Sequence, residues 1–417
     1  MAEQGKEINK FSGAVSQITA GGKQKIVPTI DKFYNILEQQ YVGVFRMNEM
    51  TGKREFKRGD EWNEWSDSID SLLRHWFQTE HSLYSKNMLD DALNVFFSNH
   101  RANPLIDMLE SIKWDGQERI GNFLTFVLKC PDDSYHQEVS RLIFAGGVWR
   151  AYKPGCKFDD MAVLIGRQGG GKSALVRWLN MDDTYFREIK TISGKEGIEI
   201  LRGAWIAEVA ELMAMTRVKE TEAVKAYITT QCDSYRAPYD RHTQEIPRRC
   251  TFVGTTNNPN FLTDRTGNRR FYPVKSAADG YDIFDHEQEI RDYIRLCWAE
   301  AVAKYKAGSM PPFASRSLLN VIHEAQEDAM EDDWRVGAIA QYLEDMKRAD
   351  NSTVSVIELW HCALGEPEES KPARKDSIEI SQIMNSMEGW EKVSKAVRTS
   401  RWGVQRIFKK KPRFYPF

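Results

Sequence analysis

Met161-Ala162-Val163-Leu164-Ile165-Gly166-Arg167-Gln168-Gly169-Gly170-Gly171-Lys172-Ser173-Ala174-Leu175-Val176-Arg177-Trp178-Leu179 runs from an apolar stretch, through a glycine-rich turn, into a helical pattern. An uninterrupted apolar run of this length suits a strand buried on both faces. The turn fills every fixed position of the G-x-x-x-x-G-K-[ST] phosphate loop. Strand, loop and helix in that order aim successive backbone N–H groups and the positive helix end into one concavity, which suits phosphate. On this reading Gly166, Gly169, Gly170, Gly171, Lys172, Ser173 and Ala174 hold ATP. Lys172 reaches the β- and γ-phosphates, and Ser173 sets its hydroxyl on Mg²⁺. The plain alternative is a glycine-rich turn that binds nothing.

Outward from the loop, short apolar runs alternate with helical stretches over residues 126–306, the pattern of a parallel sheet covered by helices. Further strands are expected at Ala204–Glu208, Cys250–Thr255 and Phe271–Val274, the last at an edge because of Pro273. A phosphate loop alone does not separate a kinase, a GTPase and a ring ATPase. A hydrolase also needs an acid at an adjacent strand end and a group to orient water. Glu208 ends the Trp205-Ile206-Ala207-Glu208 strand, and Glu211 follows three residues on. Glu208 is the metal-side acid and Glu211 a candidate base, or the roles are exchanged. Asn257 follows the third strand, where it would meet the γ-phosphate, although Asn258-Pro259 also suits a plain turn. Arg269 and Arg270 follow a turn and offer a guanidinium to a neighbouring subunit's nucleotide. Their alternative is a basic turn paired with carboxylates.

Around this core, residues 1–28 read as a flexible tail and 29–125 as a mainly helical N-terminal domain. Leu72, Leu73, Trp76 and Phe77, then Leu89, Ala92, Leu93, Phe96 and Phe97, carry the helical spacing, and Thr51-Gly52 marks a hairpin. Residues 307–334 form an acidic helical linker. Residues 335–417 form a small basic domain whose stretch from Lys392 onward contains no Asp or Glu. That basic end would meet duplex phosphates, or else is a solvated tail.

Over 417 residues, 41% apolar and 28% charged composition excludes disordered and fibrous classes, and a net charge of −2 excludes a wholly basic nucleic-acid coat but not local patches. No apolar run approaches the roughly 18 residues that span a bilayer, and residues 1–28 lack a secretion-signal core. A protein that stays in the cytoplasm of whatever cell makes it, without membrane partners, is therefore expected. The six cysteines form no C-x-x-C pair and the eight histidines are scattered. Metal must then come through carboxylates, hydroxyls and phosphates.

Together Asp160-Met161-Ala162-Val163-Leu164-Ile165-Gly166 with its loop, Trp205 to Leu212, Tyr235-Arg236-Ala237-Pro238-Tyr239, Thr255-Thr256-Asn257 and Gly267-Asn268-Arg269-Arg270-Phe271 resemble the virulence-associated protein E family. Trp114-Asp115-Gly116 and Glu388-Gly389-Trp390 fit as well, so the resemblance runs from about residue 60 onward. It implies an α/β protein with a P-loop AAA+ core similar to superfamily 3 helicases, in phages and mobile genetic islands. By resemblance, the chain assembles as a homo-oligomeric, hexameric ring on single-stranded or forked DNA, with a primase or replication initiator as partner. The E-x-x-E spacing matches this family. A hairpin near the sensor strand would point Arg236, Arg241 and His242 at DNA, with Lys225 nearer the nucleotide or hairpin base. Arginines interleaved with Tyr235 and Tyr239 suit backbone tracking with base stacking; otherwise the segment is a solvated loop whose tyrosines fill the core. The small C-terminal domain would be winged-helix-like. Rival functions are a nucleotide-switched DNA-binding regulator or defence ATPase without unwinding, and a P-loop kinase.

Overall fold

The structure is a computed structural model and describes residues 27–190, 192, 194–210, 218–235, 243–262, 268–276, 281–330, 334–345, 352–387, 389–399 and 401–411. Glu211, Arg236, Arg241 and His242 lie outside the described residues. The chain divides into two units, Met1–Pro104 and Leu105–Phe417.

In the first unit, α1 (Ile30–Tyr41), α2 (Asp67–His81) and α3 (Lys86–Asn99) bury the apolar faces their spacing requires. Thr29 caps α1 by accepting from the Lys32 N–H. Phe33, Phe77, Phe96 and Phe97 form the centre, each at most 1% exposed. The strands β1 (Phe45–Asn48), β2 (Lys53–Arg58), β3 (Glu61–Glu64) and β4 (Arg101–Ala102) form one sheet in the order β3-β2-β1-β4. Gly52, at φ 67°, turns β1 into β2. The two extra strands carry Glu, Asn and Arg and too few residues to show an apolar alternation.

The domain boundary falls at Pro104 rather than residue 125, because residues 105–128 pack within the second unit. The Glu300 carboxylate accepts from the Arg119 and Ile120 N–H groups at 2.6 and 3.0 Å. Phe123 meets Phe144 edge-on, and Phe126 stacks on Tyr293 with ring centroids 4.2 Å apart.

The second unit is built on β5 (Met161–Ile165), β6 (Arg187–Ile189), β7 (Ile206–Val209), β10 (Thr251–Thr256) and β11 (Phe271–Lys275), all parallel and in the order β11-β5-β10-β7-β6. An antiparallel hairpin, β8 (Cys232–Tyr235) and β9 (Gln244–Pro247), sits outside this sheet. Strands β5, β7 and β10 are buried along their whole length, as apolar runs in a covered parallel sheet must be. Pro273, which cannot donate to a ladder, lies in β11 at the edge.

Helices α4 (Pro104–Glu110), α5 (Phe123–Leu128), α6 (Ser134–Tyr152), α7 (Lys172–Leu179), α8 (Gly194–Glu199), α9 (Val218–Thr229), α10 (Glu287–Lys306) and α11 (Leu319–Glu327) complete the layers. A side chain at Gly147 of α6 would stand 2.4 Å from the Trp298 ring, so glycine is what lets α10 pack so closely. The buried indoles are satisfied: Trp298 donates to the Leu179 carbonyl and Trp205 to that of Gly147, each at 2.9 Å. Residues 319–330 belong to this core rather than to a linker. Gln326 donates to the Phe271 carbonyl at 2.9 Å, and Ile322 and Ala329 are buried.

Asp160 precedes β5, and Tyr272 donates its hydroxyl to it at 3.1 Å. Burial, with Asp159 adjacent, pushes the Asp160 carboxyl up to about 6, against the pull of that hydroxyl. Between its ordinary value of 3.8 and 6 the folded chain therefore binds more proton than the unfolded chain, and stability falls as pH rises through this window. Asp160→Asn is expected to raise the melting temperature by about 2–4 °C at pH 7.5 and to leave it nearly unchanged at pH 4. Calorimetry at the two pH values checks this.

After residue 333 come α12 (Trp334–Asp345), β12 (Thr353–Ser355), a short helical stretch, α13 (Arg374–Ser386), β13 (Trp390–Lys392), β14 (Val397–Thr399), β15 (Gly403–Gln405) and β16 (Ile407–Lys410). The sheet β12-β16-β13 packs with Ile339, Ile380, Ile383 and Met384, while β14 and β15 form a separate hairpin. Among the described residues, no helix is long and apolar enough to cross a membrane.

Candidate functional site

Strand β5 lies between β10 and β11, so the chain leaves it toward one side of the sheet and later returns on the other. Such a switch point opens a crevice beyond the carboxyl ends of the strands. The glycine-rich turn starts there, and the Gly166 N–H donates to the Thr256 carbonyl at 3.3 Å. Gly169 and Gly171 adopt φ of 75° and 78°, where a side chain would be strained. At Gly171 a Cβ would also lie 2.2 Å from Ile283, so the turn needs glycine twice over.

Residues 168–174 and 255–257, with Phe284, line a cavity of about 250 Å³. The Lys172 ammonium donates to the carbonyls of Gly166 and Arg167 and to Asn257 Oδ1, each at 2.8 Å. Burial lowers the pKa of this ammonium, and the nearby Glu208 carboxylate pulls it back up. Glu208 is only 1% exposed, and one of its oxygens accepts from Ser173 Oγ at 2.6 Å and Thr255 Oγ1 at 2.7 Å. Two hydroxyl donors offset much of what the carboxylate loses in leaving water. Parallel pairing sets Glu208 beside Val253, two residues before Thr255.

Asn180 fixes the frame. Wholly buried after α7, it donates to the Val176 and Ile206 carbonyls, each at 3.0 Å, and accepts from the Ile206 N–H at 2.9 Å. One amide therefore ties the helix that starts at Lys172 to the strand that carries Glu208.

Gly166, Gly169, Gly170, Gly171, Lys172, Ser173, Ala174, Glu208 and Asn257 thus come together. Arg269 and Arg270 lie on a 3-10 turn (Asn268–Arg270) just before β11 and are not among the residues that line the cavity. Arg270 is half-buried, 3.3 Å from Asp159, which fits the carboxylate-paired alternative. Arg269 is exposed and forms no ion pair among the described residues. Lys225 is 5% exposed and 3.1 Å from Glu222, in a helix whose Val224, Tyr227 and Ile228 are core residues. Arg236, Arg241 and His242 fall on the connection between β8 and β9, outside the described residues. The hairpin stem is firmly anchored. Arg248 grips Asp233 with two bonds of 2.6 and 2.8 Å and donates to the Tyr227 carbonyl. Tyr235 is buried and donates to Glu199 at 2.8 Å, so this tyrosine fills the core.

Sequence reasoning missed Thr255, Asn180 and Phe284. A threonine in a strand reads as an ordinary β-former, and an asparagine after a helix reads as a cap; the adjacency to Glu208 and to β7 is purely tertiary. Hydroxyl and carboxylate oxygens of Ser173, Thr255 and Glu208 could hold Mg²⁺, which binds through one or two carboxylates and completes its shell with phosphate and water. No cluster of three or more His, Cys, Asp or Glu that could hold a metal occurs among the described residues.

The family model of the virulence-associated protein E-like domain matches residues 109–332, the span that holds the whole site. Among solved structures, the A form apo structure of the NrS-1 C-terminal region, residues 305–718, is 14% identical, with a TM-score of 0.53 over 92% of this chain and 100% of that one. A further apo structure of that region is 15% identical, with a TM-score of 0.52 over 92% and 99%. At this identity the likeness concerns the fold alone. No curated protein matches the sequence. With more than half of its length matched, the chain belongs to the virulence-associated protein E-like family.

Proposed function

We propose that the protein is an ATP hydrolase coupled to DNA unwinding or translocation, acting in replication of a phage or mobile genetic element. The observation that carries this reading is the convergence of Lys172, Ser173, Glu208 and Asn257 on one glycine-rich turn at the carboxyl ends of adjacent parallel strands.

On this reading the loop is a P-loop and the core is of AAA+ type, with the order β11-β5-β10-β7-β6 supporting it. Backbone N–H groups of the loop and the start of α7 hold the triphosphate. Lys172 and Asn257, already in contact, address its terminal phosphoryl group together. Mg²⁺, held through Ser173 and Glu208, would neutralise charge on the phosphate oxygens. Glu208 or Glu211 takes the proton of the attacking water as its oxygen forms the new bond to the terminal phosphorus and ADP leaves. Arg269 is the better trans-acting group, since Arg270 is engaged by Asp159. Its guanidinium would reach the nucleotide of the next subunit in a hexameric ring. Arg236, Arg241 and His242, on the anchored β8–β9 hairpin, would track single-stranded or forked DNA. The order helix, strand, helix, helix, strand, hairpin, strand in residues 334–410 supports a winged-helix reading, with Lys409 and Lys410 of β16 toward duplex phosphates. A primase or replication initiator is the expected partner, in the cytoplasm of a bacterial host.

Mass photometry with an ATP analogue and forked DNA, run beside strand-displacement assays, tests the reading. Rings that displace a strand only with hydrolysable ATP are expected. A single protomer that displaces nothing and moves phosphate onto an acceptor would identify a kinase, and DNA binding with negligible displacement a nucleotide-switched regulator.

A further inference from the structure

We propose that Phe284 is the platform on which the nucleobase of the bound nucleotide stacks, so that this cavity reads the face of a purine rather than its hydrogen-bonding edge. The proposal rests on the nucleotide reading of the cavity and names how that site selects its ligand.

Among the described residues that line the cavity, Phe284 is the one aromatic, and the others are loop glycines or polar and small groups. It is 50% exposed, whereas Phe252, Phe261 and Phe271 of the same unit are at most 5% exposed. An aromatic ring left half in water beside a phosphate cradle has apolar area to cover. Its surroundings hold it in place. Phe284 meets Trp178 of α7 edge-on, with ring centroids 5.9 Å apart and planes at 86°. Trp178 is itself buried, and the Arg291 guanidinium lies over it at 5.3 Å. The turn that carries Phe284, Ile283–His286, is capped by Asp282, whose carboxylate accepts from the Phe284 N–H at 3.0 Å.

The same turn is registered against the phosphate loop. Ile283 is 3% exposed and stands where a Cβ on Gly171 would be. The residue before the platform therefore contacts the glycine that opens the phosphate-facing helix, and ring and loop are held at a set spacing. A fixed ring needs little ordering when a base settles on it. Stacking is tolerant of base identity, because every base has a π-face, and favours the larger purines. Among the described residues, no carboxylate lines the cavity to accept from a base amino group. ATP and GTP are accordingly expected to bind within a few-fold of each other, and both more tightly than CTP or UTP.

Calorimetric titration with ATP, GTP, CTP, UTP and inorganic tripolyphosphate, on wild type, Phe284→Ala, Phe284→Trp and Lys172→Ala, tests this. Phe284→Ala is expected to weaken ATP about tenfold or more while leaving tripolyphosphate unchanged, and Phe284→Trp to restore ATP. ATP binding unchanged in Phe284→Ala, while Lys172→Ala loses both ATP and tripolyphosphate, would overturn the platform and leave the nucleotide site standing. Equal loss of tripolyphosphate and ATP in Phe284→Ala would also overturn it, since the ring would then only support the loop. A preference for ATP over GTP of about a hundredfold would overturn the face-reading claim. ATP and tripolyphosphate binding both unaffected by Lys172→Ala would remove the site itself, and the platform with it.

Discussion

Lys172→Ala should lower ATP turnover by about 10²–10³-fold, the loss typical when one preorganised charge-stabilising donor is removed from a phosphoryl or acyl transfer site. In the structure this ammonium is held by two loop carbonyls and by Asn257, at 2.8 Å from each. Among the described residues it is the one lysine that lines the cavity, and burial already disfavours its charge, so a phosphate oxygen is a strong partner for it. Alanine removes the charge without touching the strands or the core of α7. Melting temperature should therefore change little while phosphate release collapses. Lys172→Arg should not rescue, because a planar fork cannot replace a point charge in that narrow turn. Undiminished phosphate release from purified Lys172→Ala would show that turnover occurs elsewhere.

The second large effect is expected at Glu208. Glu208→Gln keeps the shape and an oxygen that can still accept from Ser173 and Thr255, but removes the negative charge. ATP should still bind within a few-fold of wild type, while single-turnover phosphate release should slow by about 10²-fold or more. Thr255→Val, which deletes one of the two hydroxyl donors to the same oxygen, should cost less, since Ser173 remains. Rapid-quench measurement alongside equilibrium nucleotide binding separates the two effects. If Glu208→Gln turned over at the wild-type rate, the charge there would have no part in the chemistry. The proton acceptor would then have to be sought at Glu211.

Much of the site was legible in one stretch of sequence because its parts are local. Gly166 to Ala174 are contiguous, and Glu208 and Asn257 each sit at or just beyond the end of an apolar run, the only place from which neighbouring parallel strands can reach the loop. What was not legible is tertiary. Asn180 joins α7 to β7 across 26 residues of chain, and Thr255 reaches Glu208 across 47. Nothing in either residue's own neighbourhood announces that. Arg269 and Arg270 are adjacent in sequence and indistinguishable there, and only Asp159 near Arg270 separates them. The burial of Lys225 beside Glu222 was not legible either, because a lysine between helical apolar positions gives no sign of it. The short strand β6 carries Arg187 and Glu188 and shows too little apolar character to be seen. The domain limits were displaced for a related reason: residues 105–125 and 319–330 look like ordinary helix and linker until Glu300 and Phe271 are found bonded to them.

The buried amide of Asn180 has a mechanical corollary. Because it bonds the end of α7 and the start of β7 at once, Lys172, Ser173 and Glu208 ride on one stiff piece. On the proposed reading, their mutual distances would stay constant through the nucleotide cycle. The stroke of the proposed motor would then come from parts that swing against this stationary datum, as a crank turns against its bearing.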